Sequence, residues 1–174
     1  MSRILAVDPG SSESGWCLID AATREPLHFG KDTNSHLRRL ILTAHETVEA
    51  DQVAIEMVAS YGMAVGREVF ETCVWVGKFS EAVRGFWWPN SEPTLVYRRD
   101  VKLHHCHSAR AKDSNIVQAL VDRFASGEPN RGKGTKAAPG FFYGFRADIW
   151  QAMALAVYVA DLLDPLTDHD RSTR

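Results

Sequence analysis

Near the amino terminus, Ile4-Leu5-Ala6-Val7 runs directly into Asp8-Pro9-Gly10, and after Ser11-Ser12-Glu13-Ser14 a second apolar run follows, Gly15-Trp16-Cys17-Leu18-Ile19. Unbroken apolar runs of this length read as strands, and the Pro-Gly and serine cluster between them reads as a turn. This pattern demands a sheet core with a tight corner, and it mounts the Asp8 carboxylate rigidly at the end of the first strand. Two other acids occupy comparable settings: Glu56 in Val53-Ala54-Ile55-Glu56-Met57-Val58, and Asp148 at the head of an apolar helix.

The periodicity predicts strands over 3–8 and 15–20, with Leu27-His28-Phe29-Gly30 as a third in meander order. From Leu37 the apolar positions Leu37, Leu40, Ile41, Ala44 and Val48 form the stripe of a helix packed on a sheet. A strand over 52–58 carries Glu56. The pattern from Met63 to about Phe86 is helical, with Val65, Val69, Cys73, Val76 and Phe79 along one face and Phe70, Val74 and Trp75 widening it. Such a helix needs two apolar partners, either within one core or in a second subunit. Thr94-Leu95-Val96-Tyr97 reads as a strand. Ile116, Val117, Leu120, Val121 and Phe124 form a helical stripe after Ser114 as cap, and 126–146 reads as a loop holding five of the twelve glycines. The last helix runs from about Asp148 to Leu163.

The fold class this order implies is α/β: a mixed sheet, three antiparallel strands and then parallel ones, with helices on both faces. Residues 1–164 are expected to form one domain, and 165–174 a polar tail.

The formal charge of −2 argues against a generally basic DNA binder, yet residues 98–136 hold nine Lys/Arg against four Asp/Glu. That local excess suits a polyanion-facing surface as well as a solvated loop. Cys17, Cys73 and Cys106 show no CxxC spacing, so a reducing, cytoplasmic setting is expected. The first residues lack a charged-then-apolar leader, and no apolar run approaches the roughly 18 residues needed to cross a bilayer.

Three acids at the ends of distant apolar elements suggest a divalent metal site. Phosphodiester cleavage needs an acidified water and a neutralised leaving oxygen, and two Mg²⁺ ions supply both. Hard ions of this kind take oxygen ligands. Each acid also has an ordinary explanation: Asp8 as a turn cap, Glu56 paired with a buried arginine, Asp148 as a helix N-cap. Gln151, three residues after Asp148, projects from the same helix face and can serve as a neutral oxygen ligand or an orienting donor. His104-His105-Cys106-His107 invites zinc, but neighbours in an extended run point to opposite sides and no second ligand pair exists, so it reads as a surface or phosphate-facing segment. Lys102, Arg110 and Lys112 around it can neutralise backbone phosphates. Trp87, Trp88 and Tyr97 can stack on exposed bases, although aromatics in such numbers more often belong to a core.

On these residues the chain resembles the RuvC-like Holliday junction resolvases of the RNase H-like superfamily, particularly phage and prophage versions. Ile4 to Gly10 with Gly15 is similar to the family's opening strand and first catalytic aspartate, and Val53-Ala54-Ile55-Glu56 to the strand bearing its glutamate. Arg98-Arg99-Asp100-Val101-Lys102 with Ala111-Lys112-Asp113-Ser114-Asn115 resembles its basic stretch leading into a helix near DNA. Ala147-Asp148-Ile149-Trp150-Gln151 resembles the closing motif, except that Gln151 stands where a second acid is usual.

The resemblance implies Asp8, Glu56 and Asp148 as catalytic metal ligands, with Gln151 beside them and two Mg²⁺ or Mn²⁺ ions as cofactors. It implies Lys112 as the cation facing the scissile phosphate, and Arg99, Lys102, Arg110, Lys112, Lys133 and Lys136 as DNA contacts. The expected partner is branched DNA such as a four-way junction, nicked in pairs to leave 5′-phosphate and 3′-hydroxyl ends by a homodimer joined through helix 63–86. The expected setting is the cytoplasm of a bacterial or phage-infected cell. Three alternatives stay open at this point: an RNase H-like nuclease acting on RNA or hybrids, an actin-like or sugar-kinase ATP module suggested by the Asp8-Pro9-Gly10 turn, and a non-catalytic junction-binding protein suggested by Gln151.

Overall fold

The computed structural model describes residues 2–47, 49–60, 62, 64–86 and 91–164. Val48, Met63, Trp87, Trp88 and the tail 165–174, all named above, lie outside the described residues.

Five strands, β1 (Arg3–Asp8), β2 (Glu13–Asp20), β3 (Pro26–Thr33), β4 (Gln52–Met57) and β5 (Thr94–Tyr97), form one sheet in the order β3-β2-β1-β4-β5. The β3–β2 and β2–β1 pairs are antiparallel, while β1–β4 and β4–β5 are parallel. Helices α1 (Asn34–Thr47), α2 (Arg67–Phe86), α3 (Arg98–Cys106), α4 (Asp113–Phe124) and α5 (Ile149–Leu163) cover it. This is the mixed sheet with helices on both faces that the sequence order implies. No helix among the described residues is long and apolar enough to cross a membrane.

Strand alternation sorts the core into two halves. Leu5, Val7, Leu18, Val53 and Ile55 face α1 and α2, meeting Leu37, Ile41, Val76 and Phe79. Ile4, Ala6, Cys17, Ile19 and Ala54 face the opposite way, under α5, α3 and α4. Because side chains alternate along a strand, Asp8 and Glu56 continue the second set, so both acids point toward the α5 side. β1 is apolar at every position from Ile4 to Val7 because it is central and covered on both faces. α5 is almost wholly buried, and Ala152, Ala154, Ala156 and Ala160 let it approach the sheet closely.

Several expectations need correction. β3 extends to Thr33, well past Gly30, because as an edge strand it is half exposed and its outer residues Lys31 and Asp32 carry no apolar signal. α2 starts at Arg67, and of the face Val65, Val69, Cys73, Val76, Phe79 only the last two are buried. Its packed face continues instead through Ala82 and Val83, which leaves Phe70 and Val74 62% and 55% exposed. The residue at the N-cap of α4 is Lys112, and Ser114 lies inside the first turn. α3 has no counterpart in the periodicity of the sequence. Of its nine residues only Val101 is buried, so it has no apolar stripe to reveal it.

The run His104 to His107 is accordingly not extended: it forms the last turn of α3 and its cap. His104 Nε2 meets Asp161 Oδ2 at 2.8 Å, His105 Nε2 meets the Ala154 carbonyl at 2.8 Å, and His107 takes the left-handed C-cap. Burial holds the His105 ring neutral, with its pKa lowered to about 4. The rings serve to fasten α3 onto α5.

Candidate active site

The acids come together through sheet register. Lys31 of β3 pairs with Gly15 of β2, and Gly15 pairs with Asp8 of β1. Val7 pairs with Ile55, so Asp8 is next in register to Glu56 at the end of β4. One row across the sheet thus reads Lys31, Gly15, Asp8, Glu56.

The corner after Asp8 is fixed by a buried polar network. Ser14 Oγ donates to Asn34 Oδ1 at 2.6 Å, Asn34 Nδ2 donates to the Gly10 carbonyl at 2.9 Å, and the Gly10 amide donates to Ser14 Oγ at 3.2 Å. These bonds satisfy the backbone of the turn without using Asp8. No hydrogen bond to the Asp8 side chain exists among the described residues, so the turn-cap explanation for this acid fails.

Asp148 arrives over the sheet at Gly15. A Cβ at residue 15 would lie 2.7 Å from the carbonyl carbon, Cβ and carbonyl oxygen of Asp148, so only glycine permits this approach. The backbone enters α5 through Ala147 at a φ of 38°. Asp148 makes no side-chain cap bond, so the N-cap explanation fails as well. Its Oδ2 meets Lys31 Nζ at 2.8 Å, and Lys31 also reaches Glu13 at 3.7 Å. In the sequence Lys31 carries no signal beyond the strand register.

For Glu56 the ordinary explanation does hold in part. Arg98 Nη1 lies 3.0 and 3.1 Å from the two Glu56 oxygens, and its Nη2 lies 2.7 Å from Asp113 Oδ1. The pair is not sealed: the Arg98 side chain is 28% exposed and also lines a cavity of about 410 Å³ shared with Arg99, Lys102 and Arg110. In the sequence Arg98 and Asp113 are parts of a longer basic stretch. Neither shows its role without the fold.

The electrostatics follow from this crowding. Burial first, then the carboxylates of Glu56, Asp148 and Asp113, push the Asp8 pKa well above the usual carboxylate range, with Arg98 opposing. Burial also raises Glu56, again against the pull of Arg98. Ionised acids here are costly without a further cation.

Gln151 is buried and lines a cavity of about 340 Å³ together with Asp113, Ser114, Arg131 and Asp148. Asp148 and Gln151 therefore open on one space. Lys112 is exposed beside Asp113, its amide donating to Asn115 Oδ1 at 2.8 Å. Arg99, Lys102 and Arg110 share the first cavity. Lys133 lies 6.0 Å from the centre of the Trp150 ring and Lys136 is exposed, both on the loop before α5. Tyr97, at the end of β5, is 46% exposed and is not a core residue.

Among the described residues, no three His, Cys, Asp or Glu side chains already form a metal cage. The donor chemistry nevertheless fits a hard divalent ion. Among the described residues the Asp8 carboxylate oxygens have no hydrogen-bond partner, and Glu56 and Asp148 lie close enough to raise its pKa. The flanking acids Glu56 and Asp148 are paired with the Arg98 guanidinium and the Lys31 ammonium.

No family model matches the chain, and no curated protein matches its sequence. Solved structures do. The RuvC structure of Thermus thermophilus superposes with a TM-score of 0.67 at 14% identity, covering 92% of this chain and 95% of that one. T. thermophilus RuvC in complex with a Holliday junction substrate gives 0.66 at 11% identity, over 94% and 96% of the two chains. The fowlpox virus Holliday junction resolvase gives 0.53 at 13% identity, over 92% and 99%. The order β3-β2-β1-β4-β5, the helices on both faces and these superpositions together show that the chain shares the fold of the RuvC structures.

Proposed function

We propose that residues 1–164 form one nuclease domain that resolves Holliday junctions or related branched DNA by metal-dependent hydrolysis. The observation that carries this reading is the register row that sets Asp8 beside Glu56, with Asp148 seated on the Gly15 that pairs with Asp8. The likeness of the fold to junction resolvases supports it.

In this proposal Asp8, Glu56 and Asp148 would hold two Mg²⁺ or Mn²⁺ ions, and Gln151 would add a neutral oxygen. When bound, such ions acidify the attacking water and neutralise the leaving oxygen. The protein's own part is positional. The Ser14–Asn34 network keeps Asp8 still, and Gly15 sets the height of Asp148. Lys112 faces the scissile phosphate. Arg99, Lys102 and Arg110 hold neighbouring backbone phosphates, with Lys133 and Lys136 as outer contacts, none of which reads sequence. The products are paired nicks with 5′-phosphate and 3′-hydroxyl ends. The exposed Phe70 and Val74 of α2 pair two protomers, so that two sites meet opposite strands of a twofold substrate.

A second reading, a junction binder that does not cut, draws on Gln151 and on the Arg98 bridge at Glu56. A cleavage assay on a four-way junction with Mg²⁺ or Mn²⁺ separates the two. Paired nicks that vanish in Asp8→Asn support the nuclease, whereas salt-sensitive binding without any nick supports the binder.

A further inference from the structure

The geometry points to Arg98 as a gate residue: in the free protein its guanidinium takes the place of a divalent ion at Glu56, and it leaves for a DNA phosphate entering the adjoining cavity. This inference rests on the nuclease reading above and adds an order of events to it. Two observations carry it. First, one Arg98 nitrogen is shared by both Glu56 oxygens at 3.0 and 3.1 Å, while the other holds Asp113 at 2.7 Å. Both oxygens through which Glu56 would ligate an ion are thus taken by the same donor. Second, the same side chain lines the cavity of about 410 Å³ whose other charged walls are Arg99, Lys102 and Arg110. Four cations around one space, with no carboxylate among its described lining residues, favour a phosphate there.

Arginine suits both positions. Its planar fork matches a carboxylate and a phosphate equally well, and it remains charged throughout. Moving Arg98 from Glu56 to a phosphate exchanges one charge-assisted pair for another and frees Glu56 just as substrate arrives. Divalent ions would then load onto Glu56 chiefly in the DNA complex. Arg98 is a positioning residue in this scheme, since it acts through Glu56.

The test is a titration of the DNA-free full-length chain with Mn²⁺, following the free-ion signal by electron paramagnetic resonance. Arg98→Gln should bind Mn²⁺ about tenfold more tightly than wild type. Arg98→Lys keeps the charge but cannot fork between Glu56 and Asp113, and should also bind more tightly than wild type. Lys102→Gln removes a positive charge that acts on Glu56 only through space, without a bond to it, and should tighten Mn²⁺ binding less than either Arg98 variant. Binding of a four-way junction in EDTA is the second readout. Its salt slope should fall by about 1 in Arg98→Gln, since the side chain joins the phosphate contacts.

Unchanged Mn²⁺ affinity in both Arg98 variants, or an equal gain in Lys102→Gln, overturns the gate while leaving the nuclease reading intact. An unchanged salt slope overturns the transfer to phosphate. Failure of every form to take up millimolar Mn²⁺ overturns the metal-dependent reading itself.

Discussion

A methyl group at residue 15 would have to share space with the Asp148 backbone, 2.7 Å away. The clash is with main chain on both sides, so it cannot be relieved by a rotamer change. Gly15→Ala should therefore lift the start of α5 away from Asp8. Junction cleavage should fall by about 100-fold, the order expected for a misplacement near 1 Å, while the melting temperature drops only modestly; cleavage within a few-fold of wild type would show that Asp148 need not sit at this height. Asp8 itself yields a pH prediction. Its folded-state pKa lies above the unfolded value near 4, so the folded chain binds that proton more tightly. The stability this contributes is present below about pH 4 and is lost as pH rises through the elevated pKa. Without metal, thermal melts should show Asp8→Asn more stable than wild type at pH 8, with the advantage vanishing near pH 4. Mg²⁺ should raise the melting temperature of wild type and not of Asp8→Asn.

At the scale of elements, α5 acts as a beam fixed at both ends. Asp148 rests on Gly15 at one end. At the other, Asp161 receives Arg24 at 3.1 Å, His104 at 2.8 Å and both forks of Arg123. Burial alone would raise the Asp161 pKa, but Arg123, His104 and Arg24 hold it below the usual carboxylate range. Its contribution is therefore present at neutral pH and lost on acidification, the opposite of Asp8. Asp161→Asn leaves Arg24 buried without a full partner and should cost about 3 kcal/mol in denaturant unfolding at pH 7. Junction affinity per folded molecule should be unchanged. Loss of less than about 1 kcal/mol would make the cluster a surface feature.

The same elements show what the sequence makes legible. β1 and β4 announce themselves because central strands are apolar at successive positions, and that apolar pattern ends on Asp8 and runs into Glu56. α5 is legible for the same reason. α3 is not, because it lies over the sheet edge on Val101 alone and spends its histidines on contacts with α5 that no periodicity encodes. Lys31 and Arg98, the cations that neutralise the candidate ligands, are invisible for a related reason. Each is one lysine or arginine among twenty until register and a strand-to-helix junction place it beside an acid.

For the whole molecule, the face of α2 that carries the exposed Phe70 and Val74 is the surface suited to a second copy. Phe70 and Val74 lie one turn apart and are both more than half exposed. Sedimentation should show a dimer at micromolar concentration, and Phe70→Glu with Val74→Glu should shift it to monomer with little loss of thermal stability. A wild-type monomer at those concentrations would remove the paired-nick geometry. The account as a whole turns on whether the corner built by Asp8, Glu56 and Asp148 cuts DNA. A cleavage gel with a four-way junction, a linear duplex as control, and Mg²⁺ or Mn²⁺ tests this most directly. Wild type should nick the junction in pairs and spare the duplex, and Asp8→Asn should lose about 1,000-fold or more of that activity. A junction left intact by wild type with either ion, or cut as fast by Asp8→Asn, would contradict the account.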